Sequence, residues 1–441
     1  MEIALIIAFA VALIFSSYNS KGANSNAIWF LIITSFYLTF SILNSLGSLT
    51  DLALLGSRIY GILLMPNVLI IVMFIFASVI LEKSKELDKI NLCEGDIHPF
   101  SKIFYFTVLG AFIAGPAGTV GSCMILLTSF GKTLLKDSHI PQKLVIGLVL
   151  VIATMGQLVP PAVLPIMIND VMTTTVQNYW FSHGIYEFDI APSIDLMNAL
   201  YVPSLIMLVL ILLYVVSKVS APGFKKFGAD FVTLFKSNLF FISGIIALST
   251  ISILNLINVY EFGYMFIALG LWITFRNRNL NKTFVKEVVK RTVSLSGGIL
   301  TFLVIGNLIA FVFQINGNYD TIINYFQFND VDLFDTHAIY IGHLLFLGMF
   351  LDPFEITYVF LPFTTNIMLM QNLDAVYVGA LTTLVMQVAY LTPPIGFGLF
   401  YLKLLFNEIK FKDIVSAAIP FALIQIVGIG FYILYALVMS N

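Results

Sequence analysis

The chain has 441 residues, 59% of them hydrophobic and only 10% charged, against about 25% charged in an average soluble protein. That balance excludes a soluble enzyme or a nucleic-acid binder and makes this an all-α polytopic membrane protein. The net charge of -2 says little about partners, because the placement of Lys and Arg matters more than their sum. Cys93 and Cys123, the only cysteines, are too few for a disulfide framework or a metal cluster.

In chain order, Met1-Glu2-Ile3-Ala4 lacks the positive region of a cleavable signal, so residues 2–17 read as a retained spanning helix. A hydrocarbon core about 30 Å thick takes about 20 apolar residues to cross. Such runs fall at roughly 2–17, 27–46, 61–81, 143–169, 196–217, 238–257, 260–275, 293–315, 375–402 and 416–439, which gives ten crossings. The basic groups Lys83 to Lys89, Lys132 to Lys143, Lys218 to Lys236, Arg276 to Arg291 and Lys403 to Lys412 mark the cytoplasmic side. Asp320, Asp330, Asp332 and Asp335 belong outside, as does the stretch from Asp170 to Asp195.

Two further apolar segments do not cross. Residues 100–131 have basic residues before and after them, so the segment enters from the cytoplasm and returns. Its centre, Gly115-Pro116-Ala117-Gly118-Thr119-Val120-Gly121, supplies the turn residues of a re-entrant hairpin. Residues 338–372 lie between acidic loops and mirror it from outside, turning near Asp352-Pro353-Phe354-Glu355. Both termini then lie outside. The order of crossings, hairpin and last helices repeats with opposite orientation. Residues 1–217 form a first inverted repeat, with hairpin 100–131 and broken helix 143–169. Residues 237–441 form a second, with hairpin 338–372 and broken helix 375–402. Between them, 218–236 mixes basic and aromatic residues as a cytoplasmic interfacial arm.

The breaks are written by proline pairs. Leu158-Val159-Pro160-Pro161 and Leu391-Thr392-Pro393-Pro394 stand 233 residues apart, each in the middle of an apolar run. Each proline lacks an N–H and its ring clashes with the preceding turn. Non-helical backbone at bilayer depth persists only where it is buried in protein or lines a polar cavity. Freed carbonyls at such a break suit a desolvated cation, and the helix N-termini that follow suit a carboxylate. A pair of breaks in corresponding positions of two halves marks a transporter's binding site. A simple bend is the alternative for a lone proline pair.

Asp352 and Glu355 are the only acidic residues between Asp335 and Asp374. Charges inside a membrane are expensive and point to function; here they would bind a cation, carry a proton, or cap the second hairpin helix. The spacing of Gly115, Gly118 and Gly121 is equally that of close helix packing. Gly131-Lys132-Thr133 is not a phosphate loop, because Leu126 stands where that motif requires glycine. His98, His139, His183, His337 and His343 show no ligand spacing. No serine, cysteine or histidine grouping suggests nucleophilic catalysis. A membrane-embedded enzyme for lipid-linked substrates would need clustered catalytic polar residues and a basic phosphate pocket, and the chain has neither.

Gly156-Gln157-Leu158-Val159-Pro160-Pro161 followed by Ile168-Asn169-Asp170 resembles the first signature of the large membrane subunit of tripartite ATP-independent periplasmic (TRAP) transporters. The run from Leu347 to Ile356 and that from Leu391 to Leu402 resemble the second. Asp51 to Ile62 is similar to the N-terminal part in the mannitol/chloroaromatic-like branch. The resemblance implies an elevator-type fold of the ion-transporter superfamily and sodium-driven uptake of a small carboxylate-bearing solute. It also implies two partners, a small four-helix membrane subunit and a periplasmic substrate-binding protein, and no cofactor beyond coupling sodium ions. Carried onto this chain, it places one sodium site at Gly115, Gly118, Thr119, Gly121 and Ser122 with Gln157, Val159 and Pro160. The other falls at Asp352 and Glu355 with Tyr390, Thr392 and Pro393, and solute contacts at Thr119, Pro161, Pro394 and Gly396. The first hairpin turn lacks the serines common there, and Ala162 replaces a serine after the first proline pair. A stand-alone sodium- or proton-coupled carboxylate symporter of the same fold is the alternative.

Overall fold

The computed structural model describes residues 66–84, 97–115, 120–135, 137–158, 162–182, 193–220, 222–237, 259–294, 332–349, 356–369, 373–393, 396–406 and 408–439, with a few isolated positions elsewhere. All regular structure among them is helical. The expected crossings at 2–17 and 27–46 lie outside the described residues, and those at 238–257 and 293–315 lie mostly outside them.

The first described helix, α1 (Pro66–Ser84), pairs with α8 (Val259–Arg276). Gly263 and Gly270 let the two approach closely, since a side chain there would meet Met73 and Ile80. Residues 97–135 form two antiparallel arms, α2 (Pro99–Ala114) and α3 (Val120–Leu135). The reversal falls after Gly115, which is itself right-handed at φ −53 and donates its N–H to Ala111. Glycine's conformational freedom is therefore not needed at that position. The next run is interrupted as its prolines require: α4 (Gln142–Met155) stops before them and α5 (Val163–Ser182) starts after them. Then come α6 (Ser193–Lys218) and the arm α7 (Phe224–Ser237).

The second half repeats the pattern. Helix α9 (Leu333–Gly348) is capped by Asp332 and followed by a π turn over Ile356–Phe360 and by α10 (Leu361–Leu369). Helix α11 (Ala375–Tyr390), capped by Asp374, stops before the second proline pair, and α12 (Phe397–Leu405) resumes beyond it. The long α13 (Phe411–Met439) closes the chain.

By length and composition, α6 and α13 contain stretches apolar and long enough to cross a bilayer alone, Leu196–Lys218 and Phe411–Ala436. Helices α4 and α11 are apolar but shorter, at 14 and 16 residues, or about 21 and 24 Å. Each is shorter than a hydrocarbon core about 30 Å thick. Both are the centre of the molecule: every residue from Leu144 to Met155 and from Val378 to Tyr390 is buried. A helix apolar on all sides belongs in such a place. Helix α4 is enclosed by α2, α3 and α13, and α11 by α5, α6, α9 and α13.

The arm α7 turns its apolar face toward protein. Phe227 and Phe231 interleave with Phe100, Phe104 and Tyr105 of α2 at ring separations of 5.1–6.3 Å. Asp230 is buried and accepts from the His98 N–H at 3.0 Å and the Ser101 hydroxyl at 2.8 Å. One orphan backbone donor at the start of α2, the His98 N–H, is thus met by a carboxylate from another helix.

Candidate functional site

Each break lies against the end of a hairpin arm. In the first half, a side chain at Gly156 would collide with Ala114, the last residue of α2. In the second, one at Gly348, the last residue of α9, would collide with Ala389. Gly156 and Ala389 stand one position before Gln157 and Tyr390, at the same 233-residue offset as the proline pairs. Each seam therefore holds a single methyl group, on the hairpin side in one half and on the break side in the other.

At the first break, the helix winds down through Gln157 N–H to Thr154 carbonyl (3.0 Å) and Leu158 N–H to Met155 carbonyl (2.8 Å). The Ser204 hydroxyl of α6 donates at 2.5 Å to the Leu200 carbonyl of its own helix and lies 3.4 Å from the Leu158 carbonyl. Gln157 is 5% exposed, and its Oε1 is buried with no partner among the described residues. A buried amide oxygen left unpaired costs about 1–3 kcal/mol, so a donor or a cation reaching this position would be stabilised by it. One turn earlier, Gln425 of α13 donates from Nε2 to Thr154 Oγ1 at 3.3 Å.

At the second break, Thr392 folds back, donating its hydroxyl to Val388 at 2.7 Å and its N–H to Ala389 at 3.1 Å. Tyr390 is fully buried, Thr392 half-buried and Pro393 exposed, so this break reaches the surface. Gly396 has φ +50, a value that favours glycine, and an added Cβ would sit 2.8 Å from the Thr392 carbonyl oxygen. Its N–H donates across to the Met349 carbonyl at 3.0 Å, tying the second break to the end of α9.

The two halves interlock. Gly398 of α12 lies against Met124 of the first hairpin, where an added Cβ would be 3.2 Å from Met124 Cε. Conversely, Thr365 of α10 reaches Met172 Sδ on α5 at 3.5 Å. Each hairpin's return arm packs on the helix that follows the other half's break.

Of the residues singled out from sequence, Gly115, Gln157, Tyr390, Thr392, Pro393 and Gly396 are placed at these seams. Gly121 and Ser122 fall in the first turn of α3. Gly118, Thr119, Val159, Pro160, Pro161, Asp352, Glu355 and Pro394 lie outside the described residues. Sequence reasoning missed Ser204, Met349, Thr154 and Gln425. Ser204 follows Pro203 inside α6; its bond to the Leu200 carbonyl is the local pattern of a helical serine, but nothing local says that it lies beside the Leu158 carbonyl. Among the described residues no cluster of His, Cys, Asp or Glu could hold a metal ion. His98 caps α2 through Nδ1, which accepts from the Phe100 N–H at 3.2 Å, and His337 Nε2 meets the Tyr377 hydroxyl at 2.9 Å.

Residues 23–438 match the family model described as the tripartite ATP-independent periplasmic transporter, DctM component. The chain belongs to this DctM family. It is a family of transporter membrane components, not of enzymes. The sialic acid TRAP transporter permease protein SiaT of Haemophilus influenzae is 36% identical over 78 residues, which cover 18% of this DctM chain and 12% of SiaT. The crystal structure of the Alcanivorax borkumensis YdaH transporter, described as having an unusual topology, aligns over 94% of this chain and 97% of its own. The TM-score is 0.50 at 11% identity, a likeness of fold alone.

Proposed function

We propose that this DctM chain is the large permease subunit of a TRAP transporter of the mannitol/chloroaromatic-like branch. It takes up a small organic acid by sodium symport across the bacterial inner membrane, with both termini periplasmic. A periplasmic binding protein delivers the solute, and a small four-helix subunit completes the membrane part. The supporting observation is the pairing of each proline break with a hairpin end, one methyl deep at Ala114–Gly156 and Gly348–Ala389. In the first seam the Gln157 oxygen has no partner among the described residues, and half-helix ends at such breaks suit a cation and a carboxylate.

In this reading sodium is carried at Gly115 to Ser122 with Gln157 to Pro160, and at Asp352 and Glu355 with Tyr390 to Pro393. The solute lies between the breaks, against Thr119, Pro161, Pro394 and Gly396. The hairpins and broken helices move as one body in an elevator cycle, in which 1–217 and 237–441 act as inverted repeats joined by the arm at 218–236. Specificity resides mainly in the binding protein.

The test is uptake of radiolabelled organic acids into proteoliposomes holding this chain and its small subunit, under an inward sodium gradient, with and without the cognate binding protein. Uptake requiring both supports the tripartite reading; sodium-driven uptake without the binding protein replaces it with a stand-alone symporter. Asp352→Asn should raise the sodium concentration for half-maximal uptake, and an unchanged sodium dependence removes Asp352 from the site.

A further inference from the structure

Beyond α8 the chain turns sharply through 277–281, with Arg278 at φ +54, and continues as a helical run over 282–294. Asn281 starts that run by accepting from the Phe284 N–H at 2.7 Å, and Asn279 Nδ2 donates to the Ser84 carbonyl at the end of α1 at 3.3 Å. The run is therefore fixed to the α1–α8 pair.

Its faces are sharply divided. Phe284, Val288 and Thr292 are buried against the protein. Beside them run the exposed Val285, Val289 and Val293, and beyond those the exposed Lys282, Lys286 and Lys290. At about 100° per residue, each row is spaced by four and the rows adjoin. Val285 and Val289 meet Lys282 and Lys286 at a shallow, open groove that begins at Leu280 and Asn281. Glu287, on the far side, pairs with Lys83 at 3.7 Å. Among the described residues no carboxylate pairs with the three lysines. Like charges four residues apart on a helix repel, so an anion laid along this row would relieve that repulsion.

The depth of the groove is readable from α8. Trp272 and Phe275 are exposed in its last turns, and Arg276 stands over the Trp272 ring at 5.9 Å. Exposed aromatics followed by cations mark the membrane–water boundary on the cytoplasmic side. The groove opens immediately past that boundary, at the level of lipid headgroups.

We propose that this groove binds one anionic phospholipid, its phosphate between Lys282 and Lys286 and an acyl chain along Val285, Val289 and Val293. The valine row removes the chain's upper carbons from water while the ammonium groups meet the phosphate. A zwitterionic headgroup is a poorer occupant, because its own ammonium would face the lysine row. The bound lipid steadies the cytoplasmic end of the α1–α8 pair.

Native mass spectrometry of the full-length chain, delipidated and then titrated with dioleoyl phosphatidylglycerol or dioleoyl phosphatidylcholine, tests this site. The unaltered chain should retain phosphatidylglycerol in preference to phosphatidylcholine, and millimolar inorganic phosphate should not displace it. The double variant Lys282→Gln/Lys286→Gln, monodisperse by size exclusion, should lose phosphatidylglycerol retention by about thirtyfold, as expected for two lysines at a membrane surface. Lys410→Gln/Lys412→Gln, exposed elsewhere, should retain it unchanged. Equal retention of both lipids by the unaltered chain overturns the proposal. So does full competition by inorganic phosphate, an equal loss in the control variant, or displacement of the lipid when the small subunit is added.

Discussion

Gln157 shows how much one side chain can report at a helix break. Its amide oxygen is buried without a partner among the described residues. Replacing Gln157 with Leu, of similar volume, removes the unsatisfied oxygen, so the thermal midpoint in detergent should hold or rise. If the oxygen faces a sodium ion, the same variant should raise the half-saturating sodium concentration by about tenfold, or about 1.4 kcal/mol; sodium dependence equal to the parent's would assign Gln157 to packing. A titratable contact lies in the loop after α3. Burial of the Asp137 carboxyl works to raise its pKa, but the Lys102 ammonium at 2.8 Å and the His139 N–H outweigh it and hold it below the usual carboxylate range. A group depressed on folding gives stability that is present above its unfolded value, about pH 4, and lost as pH falls through the folded value. Thermal midpoints should therefore drop below about pH 4, and Asp137→Asn should flatten that drop.

Among elements, the hairpin–break seams are tight for different reasons. At Gly348 the obstacle is the Ala389 methyl; the next Ala389 atom, Cα, is 3.8 Å from the added carbon. Gly348→Ala should cost about 1–3 kcal/mol by overpacking and be rescued by Ala389→Gly. At Gly156 the backbone of Ala114 also intrudes, with its C and Cα at 2.6 and 2.8 Å, so Ala114→Gly should not rescue Gly156→Ala. Thermal midpoints of the four single and double variants decide this, and equal rescue in both seams would refute the distinction. The elements themselves were legible, because two adjacent prolines remove two donors and crowd the preceding turn, so α4 and α11 end at Met155 and Tyr390 shortly before their pairs, whereas the single prolines Pro203 and Pro420 stay inside α6 and α13. Their partners were not. The Ser204–Leu158, Met349–Gly396 and Asp230–Ser101 contacts join residues far apart in the chain, and no local pattern names them. The arm α7 is similar: its amphipathic face is plain in sequence, whereas the aromatic surface of α2 that covers it emerges only from packing.

For the whole molecule, the two proline pairs are the expectation with the widest reach. Replacing Pro393 and Pro394 with Ala restores two N–H donors and lets α11 run on toward α12. Uptake should fall to background while membrane insertion, judged by expression and monodispersity, is retained; full uptake would reduce the break to a bend. The crossed support of the halves, Gly398 on Met124 and Thr365 on Met172, has a thermodynamic meaning. Because each break leans on an arm that belongs to the other half, neither can change shape without loading its counterpart. In the proposed carrier, a ligand held at one break would then alter affinity at the other by the same factor in both directions. Such reciprocity would set a half-loaded carrier apart from a fully loaded one, and so give the proposed cycle a means of discouraging movement before both cargoes are aboard.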